Sequence, residues 1–447
     1  MITSLPSEII NLILESLVRD EPTALWDLCL VGNHRLYHLA LPFTWKVVHF
    51  IVNHHDDNPT GQLKHYFDGF MANDKRVRAV RYLRFTFVGY HYHYETRAIL
   101  KDEYLARLIN VTHARVSFIG VDYGDVDATG DIPMATVNLL GGYLPSLVSL
   151  QVEGCYDRYN LHHDESWSFY ELVPTLRHVA TRYCEDGLSA MWSHAPNLQV
   201  LEVDGGDMSA FWIETMQGEP DPMPGFPEAP EVAIIDVEKD VLPRLTRIYL
   251  YDEEFNYGIY SLEELTDPLP LLEEFVLDKE LQGDFGRAIW HGFMKLAPNL
   301  KRLRLTVAHH SICRDSHTSF GDQSISGSMQ SLEELCLLAS GVDDDKFIGR
   351  ILQSSAPNLQ ALYLEGLTDL DVESMARLVA IVEEWAEGLP SLNLVVWPRS
   401  VAVLVRREGH MITGELVVDD FRFEKIPEWA AKPRGIGEWW EDHFRVN

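Results

Sequence analysis

Apolar positions follow two rhythms along this chain, and the change of rhythm divides it. Over the first fifty residues they fall at helical spacing. Ile9, Ile10, Ile13, Leu14 and Leu17 make one stripe, Ala24, Leu25, Leu28 and Val31 a second, and Leu36, Leu39 and Ala40 a third. Pro6 suits the first turn of a helix, where a missing N–H costs nothing, and Ser7 and Glu8 suit the positive end of its dipole. Arg19-Asp20-Glu21-Pro22 breaks that helix and Thr23 caps the next. Gly32-Asn33 stops the second helix, and Pro42 ends the third. Three helices this short bury little surface alone, so a partner or the following domain has to cover their apolar faces.

After Trp45 and a β-prone run, Val47–Val52, comes a polar connector at 54–61. Beyond it one phrase keeps returning: a helix end, a proline, then Leu-x-x-Leu-x-Leu. It starts at Leu147, Leu176, Leu198, Leu245, Leu272, Leu300, Leu332 and Leu359, with weaker copies at Val80 and Val111 and a contracted one at Leu392. Three copies share the preface Ala-Pro-Asn-Leu, at Ala195, Ala297 and Ala356. Most steps are about 22 to 33 residues long, the period of a stacked repeat in which each unit supplies one strand and one return segment. The proline stops the helix and sets up the strand. The return segments around Phe285–Leu296, Asp343–Leu352 and Val372–Val382 carry helical stripes.

Two motifs resemble known families. Leu5-Pro6-x-Glu8-Ile9-Ile10-x-x-Ile13-Leu14-x-x-Leu17, then Leu28-x-x-Val31, then Trp45, resembles the F-box over about residues 2–50. The family's usual basic or polar pair after the central valine is replaced here by Gly32-Asn33. The resemblance implies docking onto a Skp-type adaptor, and through it a cullin–RING ubiquitin ligase of the SCF type, by Leu5, Pro6, Ile9, Ile13, Leu14, Leu17, Leu28 and Val31. Leu-x-x-Leu-x-Leu resembles the leucine-rich repeat over about residues 76–400. Cys155 and Cys184 stand at that family's Asn/Cys position, and the other units depart there, so a regular asparagine ladder is expected to be absent and the turn geometry to vary from unit to unit.

Together these readings predict an α/β chain: a three-helix F-box head at 1–50, a linker at 51–75 and a right-handed, curved solenoid at 76–400. The solenoid has a parallel concave sheet and a helical convex side. A C-terminal cap and tail follow at 401–447. An acidic insertion at 204–240 holds ten acids, one base and five prolines, and reads as an extended surface loop. A second polar loop spans 309–329. In the tail, Trp439-Trp440 is a minority candidate for a docking strip.

Composition narrows the function. The net charge is −31, from 37 basic and 68 acidic residues. Such a chain is poorly suited to nucleic acid or anionic membrane, and compatible with a basic protein partner. Five cysteines without a CxxC pair argue against a disulfide framework or a zinc site and suit a reducing compartment. Met1-Ile2-Thr3-Ser4 lacks a secretory start and no apolar window reaches the roughly 18 residues of a membrane span, so cytoplasm or nucleus is expected.

No catalytic motif stands out, and no cofactor is expected. His54-His55-Asp56-Asp57, His91-x-His93-x-Glu95 and His162-His163-Asp164-Glu165 match no recognised metal spacing, so no metal site is expected either. The surface expected to work is the concave sheet. In the repeat phrase, the residues between and after the leucines point away from the core. This nominates Tyr249, Tyr251, Asp278, Arg304, Tyr363 and Glu365 for target binding, with Gln151, Glu153, Arg182, Glu202, Asp204 and Thr306 beside them. The expected function is target recognition for a ubiquitin ligase, without catalysis. The alternative is a repeat scaffold whose helical head is only a cap, with the Leu5–Leu17 stripe buried against the first repeats.

Overall fold

The computed structural model describes residues 5–20, 28–29, 32–53, 59–88, 102–119, 140–154, 173–182, 195, 197–204, 244–251, 269–281, 297–307, 329–339, 352–353, 355–365, 372–397, 401–418, 427 and 429. The chain divides into two compact units, Met1–Leu198 with Arg434–Asn447, and Gln199–Pro433.

The first unit opens with helix α1 (Ser7–Asp20) and helix α2 (His34–Thr44). Of the stripe between them, Leu28 and Cys29 are described, and they are helical. Gly32 takes the left-handed conformation, φ 75°, that ends a helix without a Cβ penalty. Asn33 caps α2, its Oδ1 accepting from the Leu36 N–H at 3.1 Å. Pro42 does not end this helix. It lies within the last turn, and the helix runs on to Thr44, whose hydroxyl donates to the Leu41 carbonyl at 2.7 Å.

The segment expected as a linker is part of the repeat architecture. Strand β1 (Val47–Asn53) pairs in parallel with strand β2 (Tyr82–Val88), from Val47 opposite Tyr82 to Asn53 opposite Val88. Helix α3 (Pro59–Met71) and helix α4 (Asp74–Ala79) form the return between them. The reason is apolar: Phe67, Phe70 and Met71 of α3 are buried, and Phe67 and Phe70 meet Phe50 edge-on at 5.2 and 5.8 Å. Strands β3 (His113–Ile119), β4 (Ser149–Glu153) and β5 (His178–Arg182) continue the parallel sheet. On its core face Phe50 stacks on Phe85 at 5.3 Å, and Phe87 on Phe118 at 5.3 Å.

The second unit carries strands β6 (Val200–Asp204), β7 (Arg247–Tyr251), β8 (Glu274–Leu281), β9 (Arg302–Val307), β10 (Glu334–Ala339), β11 (Ala361–Glu365) and β12 (Leu394–Trp397), parallel throughout. Ile248, Phe275, Leu303, Leu335, Leu362 and Val395 stand in register, and all are fully buried. Helix α5 (Val372–Gly388) is the return between β11 and β12, with Leu378, Val382, Trp385 and Ala386 buried. The direction then reverses. Strand β13 (Val401–Glu408) pairs antiparallel with β12, and strand β14 (Met411–Val418) pairs antiparallel with β13. Most of β14 is exposed, Met411, Leu416 and Val418 among it, so the hairpin ends the sheet in an outer strand that carries apolar as well as polar side chains. Arg407 fastens it, its guanidinium donating to the carbonyls of Leu392 at 2.7 Å and Leu389 at 2.9 Å.

A repeated turn sets the strands. Where both residues are described, the Leu that starts a phrase donates its N–H to the carbonyl three residues back, as in Leu300 to Ala297 at 3.1 Å and Leu359 to Ala356 at 3.1 Å. This is a four-residue turn whose second position suits proline. The next two N–H groups share one carbonyl of the preceding repeat: Lys301 and Arg302 both donate to Glu273, and Glu333 and Glu334 both donate to Lys301. The polar residue just before the Leu adds a side-chain bond to that repeat. Asn197 donates to the Pro174 carbonyl, Asn299 to that of Pro270, and Asn358 to that of Gln330, at 2.9, 2.8 and 2.7 Å. Asn110, Ser146 and Thr175 do the same with Arg78, Ile109 and Pro145. An inter-repeat ladder therefore exists, before the first leucine rather than at the Asn/Cys place after the third apolar position. Apart from Asp204 and Met329, the insertion at 204–240 and the loop at 309–329 lie outside the described residues, as do Phe285, Asp343 and Trp439-Trp440.

Candidate interaction surfaces

The first candidate surface is the head. Ile10 and Leu14 of α1 pack on Leu36 and Ala40 of α2, all four buried, with Leu5, Leu17, Leu28, Cys29, Leu39, Phe43 and Val47 closing around them. Arg35 ties the start of the chain to α2, donating to the Leu5 carbonyl at 3.0 Å. Trp45 belongs to the repeat side: it lies 6.3 Å from the Phe70 ring and under the Arg76 guanidinium at 4.3 Å. The apolar stripe of α1 is thus divided between two faces. Leu14 is 1 % exposed, whereas Ile9 is 44 % and Leu12 63 % exposed, with Pro6 exposed and Ile13 half-buried. Leu12 was not among the sequence-nominated residues, because it falls between the apolar positions of the stripe. Val31 lies outside the described residues.

The second is the strand face of the first unit, opposite its phenylalanine core. His49, Arg84, Arg115 and Gln151 stand side by side in register, and beside them run Thr86, Ser117 and Glu153. Of this row Gln151 and Glu153 were expected to point away from the core, yet Gln151 is buried, as are Arg84, Arg115 and Ser117. Polar groups at this depth need partners. Arg84 Nε donates to Thr86 Oγ1 at 3.2 Å, which also meets His49 Nε2 at 2.8 Å. Arg115 Nε donates to Ser117 Oγ at 3.2 Å, and its Nη2 forms a short ion pair with Glu153 Oε2. Ser117 donates to the same carboxylate oxygen at 2.9 Å. Burial pushes the Glu153 carboxyl up, but Arg115 and Ser117 outweigh it and hold it below the ordinary value. Burial, helped by Arg84 and Arg115, pulls the His49 imidazole down to about 3. His113 is pulled down to about 4 by burial and by His178.

The third is the strand face of the second unit, and it is covered over Tyr249 and Val276. Of the nominated residues, Tyr249 is 6 % and Arg304 4 % exposed. They occupy the expected side of the sheet: Tyr249 stands in register with Val276, and Val276 with Arg304. These two side chains were expected to be exposed, and both are buried. Tyr249 and Val276 form a small apolar cluster on which Val200 and Trp429 pack. Trp429 comes from the C-terminal segment, and its Nε1 donates to Glu334 Oε2 at 2.7 Å. Arg302 bridges Glu334 at 3.2 Å and Glu274 at 3.1 Å, and the Tyr249 hydroxyl forms a short hydrogen bond to Glu274. Burial and the Glu274 carboxylate raise the Tyr249 hydroxyl pKa, so it remains a donor. Half-buried Tyr363 is raised to about 12 by burial, Glu334 and Cys336. Tyr251, Asp278 and Glu365 lie in β7, β8 and β11, and their side chains are outside the described residues.

Sequence reasoning missed Trp429. Its signal was a single aromatic in a charged, proline-containing stretch, Ile426-Pro427-Glu428-Trp429. The three histidine clusters lie outside the described residues, and among the described residues no group of three His, Cys, Asp or Glu side chains is placed to hold a metal. No helix among them is long and apolar enough to cross a membrane.

No family model matches this chain, and no characterised relative matches its sequence. Among solved structures it is similar to the TLR13–ssRNA13 complex, with 13% identity and TM-score 0.36, over 72% of this chain and 39% of that one. It is also similar to an internalin, inlF, from Listeria monocytogenes, with 14% identity and TM-score 0.30, over 72% of this chain and 81% of that one. The chain thus spans well under half of the TLR13 chain. Its repeat character rests on its own parallel strands and in-register leucines.

Proposed function

We propose that this chain is the target-recognition subunit of an SCF-type cullin–RING ubiquitin ligase. In this reading the head docks on a Skp-type adaptor and the repeats hold a target protein. The chain performs no chemistry of its own; it contributes proximity between the target's lysines and the ligase's ubiquitin-charged enzyme. The observation that carries the reading is the division of α1. Ile10 and Leu14 already close the head's own core, so Ile9 and Leu12 are not needed to hold it together, and they remain exposed beside Pro6. Covering each in a partner is worth about 1–2 kcal/mol.

The test is capture of adaptor and cullin from the protein's native cell extract by the intact chain and by an Ile9→Asp, Leu12→Asp variant. The expected result is capture by the first and loss with the second, at unchanged melting temperature. Absence of adaptor from both would overturn the reading. A second reading is a repeat scaffold with a helical cap. The burial of Ile10 and Leu14, and the seating of Trp45 against Phe70 and Arg76, favour it. It expects no adaptor with either chain.

A further inference from the structure

The strand face of the second unit holds an indole. Trp429 packs on the Tyr249–Val276 cluster and donates its ring N–H to Glu334. The acceptor is not a passing carboxylate. Glu334 is held by Arg302, Arg302 by Glu274, and Glu274 by the Tyr249 hydroxyl, so three residues of β7–β9 position its carboxylate. The ring is half-buried, and Trp429 stands 95 residues from its acceptor in sequence.

We propose that this face is a binding site for a tryptophan-bearing peptide, occupied within the chain by its own Trp429. A target protein docks by presenting an indole in place of Trp429. The Tyr249–Val276 surface supplies apolar contact to the ring, and Glu334 selects a ring that carries an N–H. The proposal rests on the reading of the repeats as the target-binding part, and it is independent of whether the head binds an adaptor.

The experiment uses the full chain and the probe N-acetyl-L-tryptophanamide, measured by titration calorimetry against the wild type and Trp429→Ala, with folding checked by circular dichroism. The expected result is one equivalent bound by Trp429→Ala at least tenfold more tightly than by the wild type. The same probe methylated on the indole nitrogen is expected to bind that variant more weakly by about tenfold. Trp429→Phe keeps a ring on the cluster and lacks the N–H; it answers the question if the alanine variant does not fold, and it is expected to admit the probe more readily than the wild type. Equal affinity for wild type and the folded variants, or no binding by any of them, overturns the proposal. Equal binding of the methylated and unmethylated probes overturns the role of Glu334. Adaptor capture, read separately on the same chains, tells failure of this site from failure of the ligase reading.

Discussion

Asn299 donates its Nδ2 to the Pro270 carbonyl at 2.8 Å, a bond from one repeat to the one before it. Asn358 repeats the contact with Gln330, and Asn197 with Pro174. These asparagines are exposed or half-buried, so water competes for the bond, and each is worth about 1 kcal/mol or less. Asn299→Ala is expected to lower stability by about that amount. Asn299→Ala with Asn358→Ala, two repeats with no shared partner, is expected to be additive in urea unfolding. A neutral result for both would show that the shared backbone carbonyls set the turn alone.

The Arg115–Glu153 pair lies on the strand face of the first unit, with the Arg115 side chain 1 % exposed. Removing one member of such a pair strands a buried charge, which costs about 3–5 kcal/mol, whereas replacing both with apolar residues can be close to neutral. Glu153→Ala is therefore expected to be far more damaging than Arg115→Met with Glu153→Leu. Denaturant midpoints of the two variants decide it, and equal losses would contradict the account.

Acid should weaken the first unit through its histidines. His49 and His113 have folded pKa values of about 3 and about 4, below the 6.5 of the free side chain. The unfolded chain takes up these protons first, so the neutral form contributes stability above pH 6.5 that is lost as pH falls from 6.5 toward those values. Substituting His49→Gln and His113→Asn is expected to flatten the fall in melting temperature between about pH 6.5 and pH 4. A variant that follows the wild-type curve in parallel would remove these groups from the account.

Gly154 follows β4 with φ 70°, and its N–H donates to the Arg182 carbonyl at 2.9 Å. A Cβ there would fall within contact distance of the Phe118 carbonyl oxygen. Left-handed backbone and a backbone clash act together, so Gly154→Ala is expected to cost about 2 kcal/mol or more. Gly409 has a similar φ of 65° but open space around it, and Gly409→Ala should cost about 1 kcal/mol. Thermal unfolding of the two variants separates the clash from the backbone preference.

The strands were legible because Leu-x-x-Leu-x-Leu repeats a two-residue alternation over many units, and Ile248, Phe275, Leu303 and Leu335 stand where that alternation puts them. Helix α1 was legible from its stripe, but not its division, since periodicity marks an apolar face without saying how much of it a neighbour covers. The return formed by α3 was missed: Phe67, Phe70 and Met71 follow a polar stretch whose composition reads as a connector. The cover over Tyr249 was missed for a stronger reason. No local pattern in β7 or β8 reports a tryptophan that arrives from the far end of the sequence.

The turn that starts each strand has one more consequence. Its bonds join one repeat to the preceding one whether the chain between takes 23 residues, as from Pro174 to Asn197, or 37, as from Ile109 to Ser146. The connecting segments can therefore lengthen or shorten without altering the pitch of about 4.8 Å at which neighbouring strands present their side chains. Within each unit the sheet works as a ruler with fixed graduations. A change of specificity needs only new side chains at those graduations, leaving the scale itself untouched.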